Sequence, residues 1–170
     1  KKIVCNKAEG KLKNLKNIVK NTEILGSVGI GHTRWATHGK PDVKNAHPHI
    51  DSSGKVAVVQ NGIIENYQEL KNKLQREGII FNSDTDTEVI PHLIQKELFA
   101  LRQLKLEDNG STLLVAVRNV ISDLKGSYAL AVLWSGAPDS LVVSRKQAPL
   151  IIGLGEGEFI CASDTPAITN

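Results

Sequence analysis

The chain has 170 residues, of which 41% are hydrophobic and 23% are charged, and its net charge at pH 7 is +3. This composition is that of a folded domain with one core. The small basic excess, which lies mainly in residues 1–20, indicates a solvated helix face rather than a nucleic-acid-binding surface. No apolar run reaches the ~18 residues of a membrane span, and two cysteines cannot make a disulfide scaffold, so we expect a cytoplasmic protein.

The first part of the chain predicts three strands, one helix and a long loop. Residues 3–5 are typical of an edge strand, and the apolar spacing in residues 11–20 predicts an amphipathic helix. Residues 28–30 predict a buried strand. Residues 39–51 hold two prolines and no periodicity, which indicates a loop. The continuous apolar run at residues 56–59 predicts a strand that is covered on both faces.

The second part predicts three helices and then four strands, an order that indicates an α+β domain. The first helix covers residues 63–74, and a short strand at residues 79–81 follows it. The second helix runs to Leu98 with Pro91 in or near its first turn, and the third covers residues 111–125. The four strands are predicted at residues 128–134, 141–143, 150–154 and 159–162.

The strand predicted at residues 28–30 is followed by an abruptly polar stretch, HTRWATHG, at residues 32–39. The guanidinium of Arg34 presents a planar fork of donors that matches a carboxylate. Arg34 is therefore a candidate clamp for a small anionic substrate, and a surface salt bridge is the alternative. For Trp35 in the same stretch, the alternative to a functional role is a place in the core.

Two later stretches also carry candidate site residues. Asn61-Gly62 looks first like a hairpin turn, although a helix rather than a second strand is predicted to follow it. Asp86 lies near the start of a predicted helix, where the helix dipole favours an acid. A helix-start charge is therefore the alternative to a binding role for Asp86. Thr85 and Glu88 have the spacing of a capping box for this helix.

Four histidines and Asp51 fall within about twenty residues, and such ligands can bind zinc. Their spacing matches no standard zinc pattern, so we expect no metal here. Pro48 between two of the histidines indicates a shaped loop, in which we expect the imidazoles to be structural. The four histidines are His32, His38, His47 and His49.

The polar stretches at residues 32–39, 45–49, 60–66 and 83–88, in this order, closely resemble the glutaminase domains of glutamine–fructose-6-phosphate aminotransferases, a family of N-terminal-nucleophile (class II) glutamine amidotransferases. The resemblance covers residues 10–164. It implies a four-layer αββα sandwich of two antiparallel sheets between helices, incomplete at both ends. Residues 1–170 would then be a fragment of a type-2 glutamine amidotransferase domain, without the sugar-isomerase domains.

The same resemblance implies how glutamine is bound. It places Arg34 on the substrate carboxylate, in agreement with the guanidinium chemistry above, and Asp86 on the substrate ammonium. Thr37 and His38 match positions that line the glutamine pocket. Trp35 matches an indole that gates the passage of ammonia towards the sugar site.

The resemblance also implies an oxyanion hole. The side-chain amide of Asn61 and the backbone N–H of Gly62 match the two donors that the family directs at the developing oxyanion. Ammonia released from L-glutamine would then aminate fructose 6-phosphate in an absent isomerase domain to give glucosamine 6-phosphate. No cofactor, nucleic acid or membrane is implied, and the full protein is expected to be a homo-oligomer.

The nucleophile is where the chain departs from the family. These enzymes attack with a cysteine at residue 1, whose own α-amino group acts as the base, whereas residue 1 here is lysine. The amine of Cys5 is tied up in a peptide bond, and Cys161 falls in an apolar strand where a thiol is usually inert. We therefore expect the nucleophile to be outside these residues and the chain alone to be inactive.

Two alternatives that also bind glutamine stay open from the sequence, and a third is a metal-binding hydrolase. One is the glutaminase domain of another class II amidotransferase, such as a phosphoribosyl-pyrophosphate or asparagine-forming enzyme, against which the HTRWATHG stretch argues. The other is a catalytically inactive module that binds glutamine through the same residues. A metal-dependent hydrolase would require stoichiometric metal in the purified protein.

Overall fold

A computed structural model of the chain describes residues 2–33 and 42–168. The α-helices of this part are α1 (Leu12–Lys20), α2 (Tyr67–Arg76), α3 (Val89–Gln103) and α4 (Gly110–Asp123), and a 3₁₀ turn follows at Thr165–Ala167. The strands are β1 (His49–Ile50), β2 (Val56–Ile64), β3 (Gly126–Trp134), β4 (Leu141–Lys146), β5 (Ile151–Leu154) and β6 (Phe159–Ala162).

The described strands form two antiparallel sheets, which confirms the predicted α+β class. The larger sheet has the order β1-β2-β3-β4, and the smaller one pairs β5 with β6. The β2–β3 ladder is the longest, and it pairs Val56 with Trp134 at one end and Ile64 with Gly126 at the other. Nine consecutive pairs in one register make this ladder the rigid centre of the domain.

The main core lies between one face of the larger sheet and a layer of helices. Val56, Val58 and Ile64 of β2 are fully buried in this core, and they share one face of the strand because alternate residues point to the same side. Ile94 and Leu98 of α3 and Leu113 of α4 are among the helix residues that pack against them. Each side chain of this size contributes roughly 1.5–3 kcal/mol by leaving water.

Helices α2, α3 and α4 form close to where the apolar spacing predicts them, and Pro91 lies in the first turn of α3. The strand predictions at residues 3–5, 28–30 and 79–81 are wrong, since the structure has no strand in these segments. An apolar run becomes a strand only beside a partner that accepts its backbone hydrogen bonds. At residue 79 the backbone N–H instead bonds to Leu74, where it closes the end of α2.

Two further differences lie next to the candidate site. Strand β2 extends to Ile64, so that Ile63 is in the sheet and not in the helix predicted from residue 63. His49 and Ile50, which fall in the predicted loop, pair with β2 as a short edge strand. Among the described helices, none is long and apolar enough to span a membrane.

Candidate functional site

Asn61 and Gly62 lie inside β2, so the hairpin-turn interpretation of this pair is wrong. They pair with Ala129 and Tyr128 of β3. The Asn61 side chain is exposed, and in the described part of the chain no hydrogen bond engages its amide. A strand therefore holds the backbone of Asn61 in place while its amide is available as a donor.

Gly62 is required by the close approach of β2 to β3. Its φ is +117°, and a Cβ built at this position would lie 2.1 Å from the carbonyl oxygen of Ser127. Gly126 on the opposite strand has the same φ, and its Cβ would lie 2.2 Å from the carbonyl oxygen of Ile63. Only glycine combines this positive φ with so short a backbone approach, so the backbone at Gly62 is fixed from both sides.

Asp86 is buried and lies against β2. Its Oδ2 atom accepts a hydrogen bond of 2.7 Å from the backbone N–H of Ile64. The residue is only 3% exposed. Ile64 is two residues beyond Gly62, so the structure brings the predicted Asp86 next to the predicted Asn61-Gly62 pair. A buried carboxylate needs donors or a cation around it, and one backbone donor leaves capacity for a cationic partner.

A second hydrogen bond joins the same two segments. The hydroxyl of Thr87, the residue after Asp86, donates to Oε1 of Gln60 over 2.6 Å. The backbone N–H of Gln60 in turn donates to Nδ1 of His47 over 3.2 Å. Gln60 and Thr87 are both buried, and no local pattern in the sequence marks either of them as a site residue.

Behind Asp86 runs a buried chain of polar side chains. The Ser83 hydroxyl donates to Glu88 over 2.5 Å and lies 2.9 Å from the Thr85 hydroxyl. The Thr85 hydroxyl lies 2.9 Å from Nε2 of His49. The predicted capping box is wrong, because Glu88 reaches back to Asn82 and Ser83 and α3 has no side-chain cap.

The Glu88 carboxyl is held in its charged form. Burial by itself would raise the pKa of Glu88, but His92 and hydrogen bonds from Asn82 and Ser83 outweigh burial and lower the pKa from 4.5 to about 2. The imidazole Nε2 of His92 lies 3.9 Å from the carboxylate. The loop that carries Asp86 is therefore anchored on a permanent buried charge at neutral pH.

The histidines connect this loop to the beginning of the HTRWATHG stretch. The rings of His47 and His49 meet edge to face with centroids 4.9 Å apart, and His32 stacks on His47 at 4.3 Å. Asn45 also connects the histidine segment to the loop that carries Asp86, since its side chain accepts a hydrogen bond of 2.9 Å from the backbone N–H of Asp84. Within the residues that the structure describes, no three metal-ligating side chains gather into a cluster.

Four predicted site residues, Arg34, Trp35, Thr37 and His38, lie outside the described residues. A cavity of about 300 Å³ adjoins the described residues just before them, and its lining includes Lys7, Leu12, His32, Thr33 and His47. Asn61, Gly62 and Asp86 are not part of this lining. The structure therefore brings Asn61, Gly62 and Asp86 together at β2.

Neither cysteine has the surroundings of a nucleophile. Burial raises the pKa of the Cys5 thiol, and the charge of nearby Lys7 only partly offsets this effect. A raised pKa leaves less of the reactive thiolate at neutral pH. Cys161 lies in β6 and is half-buried.

Sequence similarity to known proteins identifies the class to which this chain belongs. Residues 32–170 match the glutamine amidotransferase domain family, and the chain belongs to that family. Among its relatives, the glutamine–fructose-6-phosphate aminotransferase (isomerizing) of Thermosynechococcus vestitus is 56% identical over 98% of this chain. The enzyme of the same name from Methanothermobacter thermautotrophicus is 49% identical over 99% of it.

The chain spans about a quarter of the length of these relatives, 26% and 27% respectively. Among solved structures, it is similar to the glutamine phosphoribosylpyrophosphate amidotransferase of Bacillus subtilis, with a TM-score of 0.61 and 29% identity. This match covers 80% of the chain and 27% of the solved one. The fold is thus the N-terminal-nucleophile amidotransferase fold.

Proposed function

We propose that the chain is the glutaminase part of a glutamine–fructose-6-phosphate aminotransferase. In this role it binds L-glutamine, splits its side-chain amide and delivers ammonia for the conversion of fructose 6-phosphate to glucosamine 6-phosphate. The sugar-isomerase domains would belong to the remainder of a longer protein. The family also leads us to propose a homo-oligomeric full-length protein in the cytoplasm.

Glutamine binding requires groups of opposite charge for its two charged ends. We assign the buried carboxylate of Asp86 to the ammonium, because its Oδ2 already uses a backbone donor and its remaining capacity suits a cation. We assign the guanidinium of Arg34 to the carboxylate, since its paired donors match a carboxylate bidentately. Thr37 and His38 would complete the pocket.

The amide is cleaved by nucleophilic attack, which places negative charge on the former carbonyl oxygen. Two donors, the Asn61 side-chain amide and the Gly62 N–H, would stabilise this charge, and each such donor is worth roughly 10²–10³ in rate. The close contact of Gly62 with β3 keeps the pair from rearranging during the reaction. Donors that are fixed beforehand need no reorganisation when the charge develops.

The nucleophile in this mechanism is an N-terminal cysteine that is not among these residues, and its own α-amino group acts as the base. As the thiol sulfur attacks the amide carbon, the α-amino group takes the thiol proton and passes it to the amide nitrogen. The nitrogen leaves as ammonia, and water then hydrolyses the glutamyl thioester that remains. Trp35 would gate the path of ammonia towards the sugar site. Exclusion of water along this path keeps ammonia unprotonated and therefore nucleophilic.

The observation that carries the proposal is the hydrogen bond between Ile64 and Asp86. It places a buried carboxylate beside the two residues that the family uses for the oxyanion, although Asp86 and Ile64 are 22 positions apart. A helix-start charge would not require this contact. The binding role of Asp86 is therefore better supported than the alternative.

The test uses the full-length protein and measures glutamate release from glutamine and glucosamine 6-phosphate formation from ammonia. We expect Asn61→Ala to lower the glutamine-dependent rate roughly 10²-fold or more and to leave the ammonia-dependent rate unchanged. Asn72→Ala, on the exposed side of α2, is the matched control. Equal loss of both activities in Asn61→Ala would contradict the oxyanion role.

The acceptor is tested in parallel. Amination of fructose 6-phosphate, with no reaction of phosphoribosyl pyrophosphate, supports the proposal. Reaction with phosphoribosyl pyrophosphate alone would assign the chain to another amidotransferase. Glutamine binding without glutamate release would instead favour the inactive binding module.

A further inference from the structure

We propose that Gln60 and Thr87 are positioning residues, whose side-chain hydrogen bond sets the separation between the Asn61-Gly62 donors and the Asp86 carboxylate. The inference rests on the proposed function, because it assigns these residues to the glutaminase site. Neither residue touches the reacting atoms in this proposal. They act by holding together the two segments that do.

The geometry that carries this inference is a pair of bonds that bracket the oxyanion pair. Before the pair, Oε1 of Gln60 accepts from the Thr87 hydroxyl at 2.6 Å. After it, the backbone N–H of Ile64 donates to Asp86 at 2.7 Å. Because 60 and 64 lie on β2 and 86 and 87 are adjacent in one loop, Asn61 and Gly62 lie between two connections to the same loop.

The two connections differ in what they can control. The Ile64 bond uses a backbone donor, so it depends on the position of the strand and not on the side chain of residue 64. The Thr87 bond joins two buried side chains, which can be altered separately from the backbone. It adds a second contact between this loop and β2, beside the one at Asp86.

Gln60 also connects a third segment to the site. Its backbone N–H donates to Nδ1 of His47 at 3.2 Å, and His47 stacks on His32 at the beginning of the HTRWATHG stretch. One residue thereby joins β2 to the Asp86 loop and to the histidine loop. Movement of Gln60 would shift all three segments relative to one another.

Stability of the fold alone does not explain a glutamine side chain at position 60. It is only 3% exposed, and its Nε2 atom has no hydrogen-bond partner among the described residues. A buried donor without a partner is destabilising, and an apolar side chain of similar volume would avoid this cost. An amide at this position is explained by the geometry that its Oε1 atom imposes on Thr87.

The experiment compares Thr87→Val and Thr87→Ser in the full-length protein. Valine keeps the shape and loses the hydroxyl, whereas serine keeps the donor. We expect Thr87→Val to lower kcat/KM for glutamine hydrolysis at least tenfold, with the ammonia-dependent rate unchanged, and Thr87→Ser to recover the wild-type value within threefold. A Thr87→Val value within twofold of wild type would overturn the inference.

A matched control separates positioning from general stability. Thr112 of α4 is also buried, and its hydroxyl donates at 2.6 Å to the carbonyl of Glu107, which precedes the helix. We expect Thr112→Val to lower the unfolding temperature as Thr87→Val does, yet to keep kcat/KM within twofold of wild type. An equal kinetic loss in both variants would mean that Thr87 has only a structural role.

The double variant Gln60→Leu/Thr87→Val covers the case in which the single variant does not fold. Removal of both partners together, with apolar groups of similar shape, is nearly neutral for stability. We expect this protein to keep its unfolding temperature but to show the tenfold loss for glutamine. Wild-type kinetics in the double variant would overturn the inference alone, whereas absence of glutamine hydrolysis in the wild type would overturn the proposed function.

Discussion

The Oδ2 atom of Asp86 lies 2.7 Å from the backbone nitrogen of Ile64, two residues beyond Gly62. This contact joins the loop after α2 to β2, one of the two central strands of the larger sheet. It makes the position of a buried carboxylate depend on the same strand that carries Asn61 and Gly62. The relative placement of these three residues is therefore a property of the sheet and not of a mobile loop.

Gly62 gives a test of this rigidity. In Gly62→Ala the new Cβ would meet the Ser127 carbonyl, so we expect a loss of at least about 2 kcal/mol in the free energy of unfolding from strain and overpacking together. Gly78→Ala is the control, since Gly78 also has a positive φ but has nothing within 4 Å of a Cβ. We expect it to cost about 1 kcal/mol. Equal losses in urea unfolding would show that the contact with Ser127 relaxes freely.

The lowered pKa of Glu88 leads us to expect that the free energy of unfolding depends on pH. Its pKa in the folded protein is about 2, below the ordinary value of 4.5, so the folded state favours the charged carboxylate. The resulting stabilisation is complete above pH 4.5 and is lost as the pH falls towards 2.

The matching variant is Glu88→Gln, which has no charge at any pH. We expect it to be less stable than wild type at pH 7 by about 1–3 kcal/mol, since it loses acceptors for buried donors. The difference should shrink between pH 4.5 and pH 2, as measured by urea unfolding at several pH values. A difference that is the same at pH 7 and pH 3 would contradict the assignment of a lowered pKa to Glu88.

Arg34 is tested by charge reversal, although it lies outside the described residues. We expect Arg34→Glu in the full-length protein to abolish glutamine-dependent synthesis, because a carboxylate repels the substrate carboxylate that the guanidinium would bind. Ammonia-dependent synthesis should persist, since ammonia needs no such group. If both activities were lost to the same extent, Arg34 would have a structural role instead.

The helices and most strands could be predicted because their patterns are local. The apolar spacing in residues 111–125 and the position of Pro91 both depend on neighbours within one or two turns. Strand β1 could not be predicted in this way, since His49 and Ile50 form a strand only through pairing with Val58 and Ala57 of β2. The types of these two residues do not by themselves predict that they pair with β2.

The same distinction between local patterns and distant contacts applies to the candidate site. Asn61, Gly62 and Asp86 are candidates because they lie in stretches of a few residues that resemble the family, and their roles stay predictions. The bond between Gln60 and Thr87, to which we assign a positioning role, could not be predicted, because it joins positions 27 apart and no local spacing reveals it. The capping-box prediction failed for a related reason: the Thr85 hydroxyl meets His49, 36 positions earlier in the chain, and this distant partner replaces the local one.

The assignment of Asp86 to the substrate ammonium is tested most directly with glutaramate, the glutamine analogue in which hydrogen replaces the α-ammonium group. The measurement is kcat/KM for hydrolysis of both compounds by the full-length wild type and by Asp86→Asn, which keeps the shape of the side chain. Loss of one partner of a buried charge pair costs about 2–5 kcal/mol. We therefore expect Asp86→Asn to lose at least roughly 30-fold in kcat/KM on glutamine and less than about threefold on glutaramate, where no ammonium is present. An equal loss on both compounds would contradict the assignment.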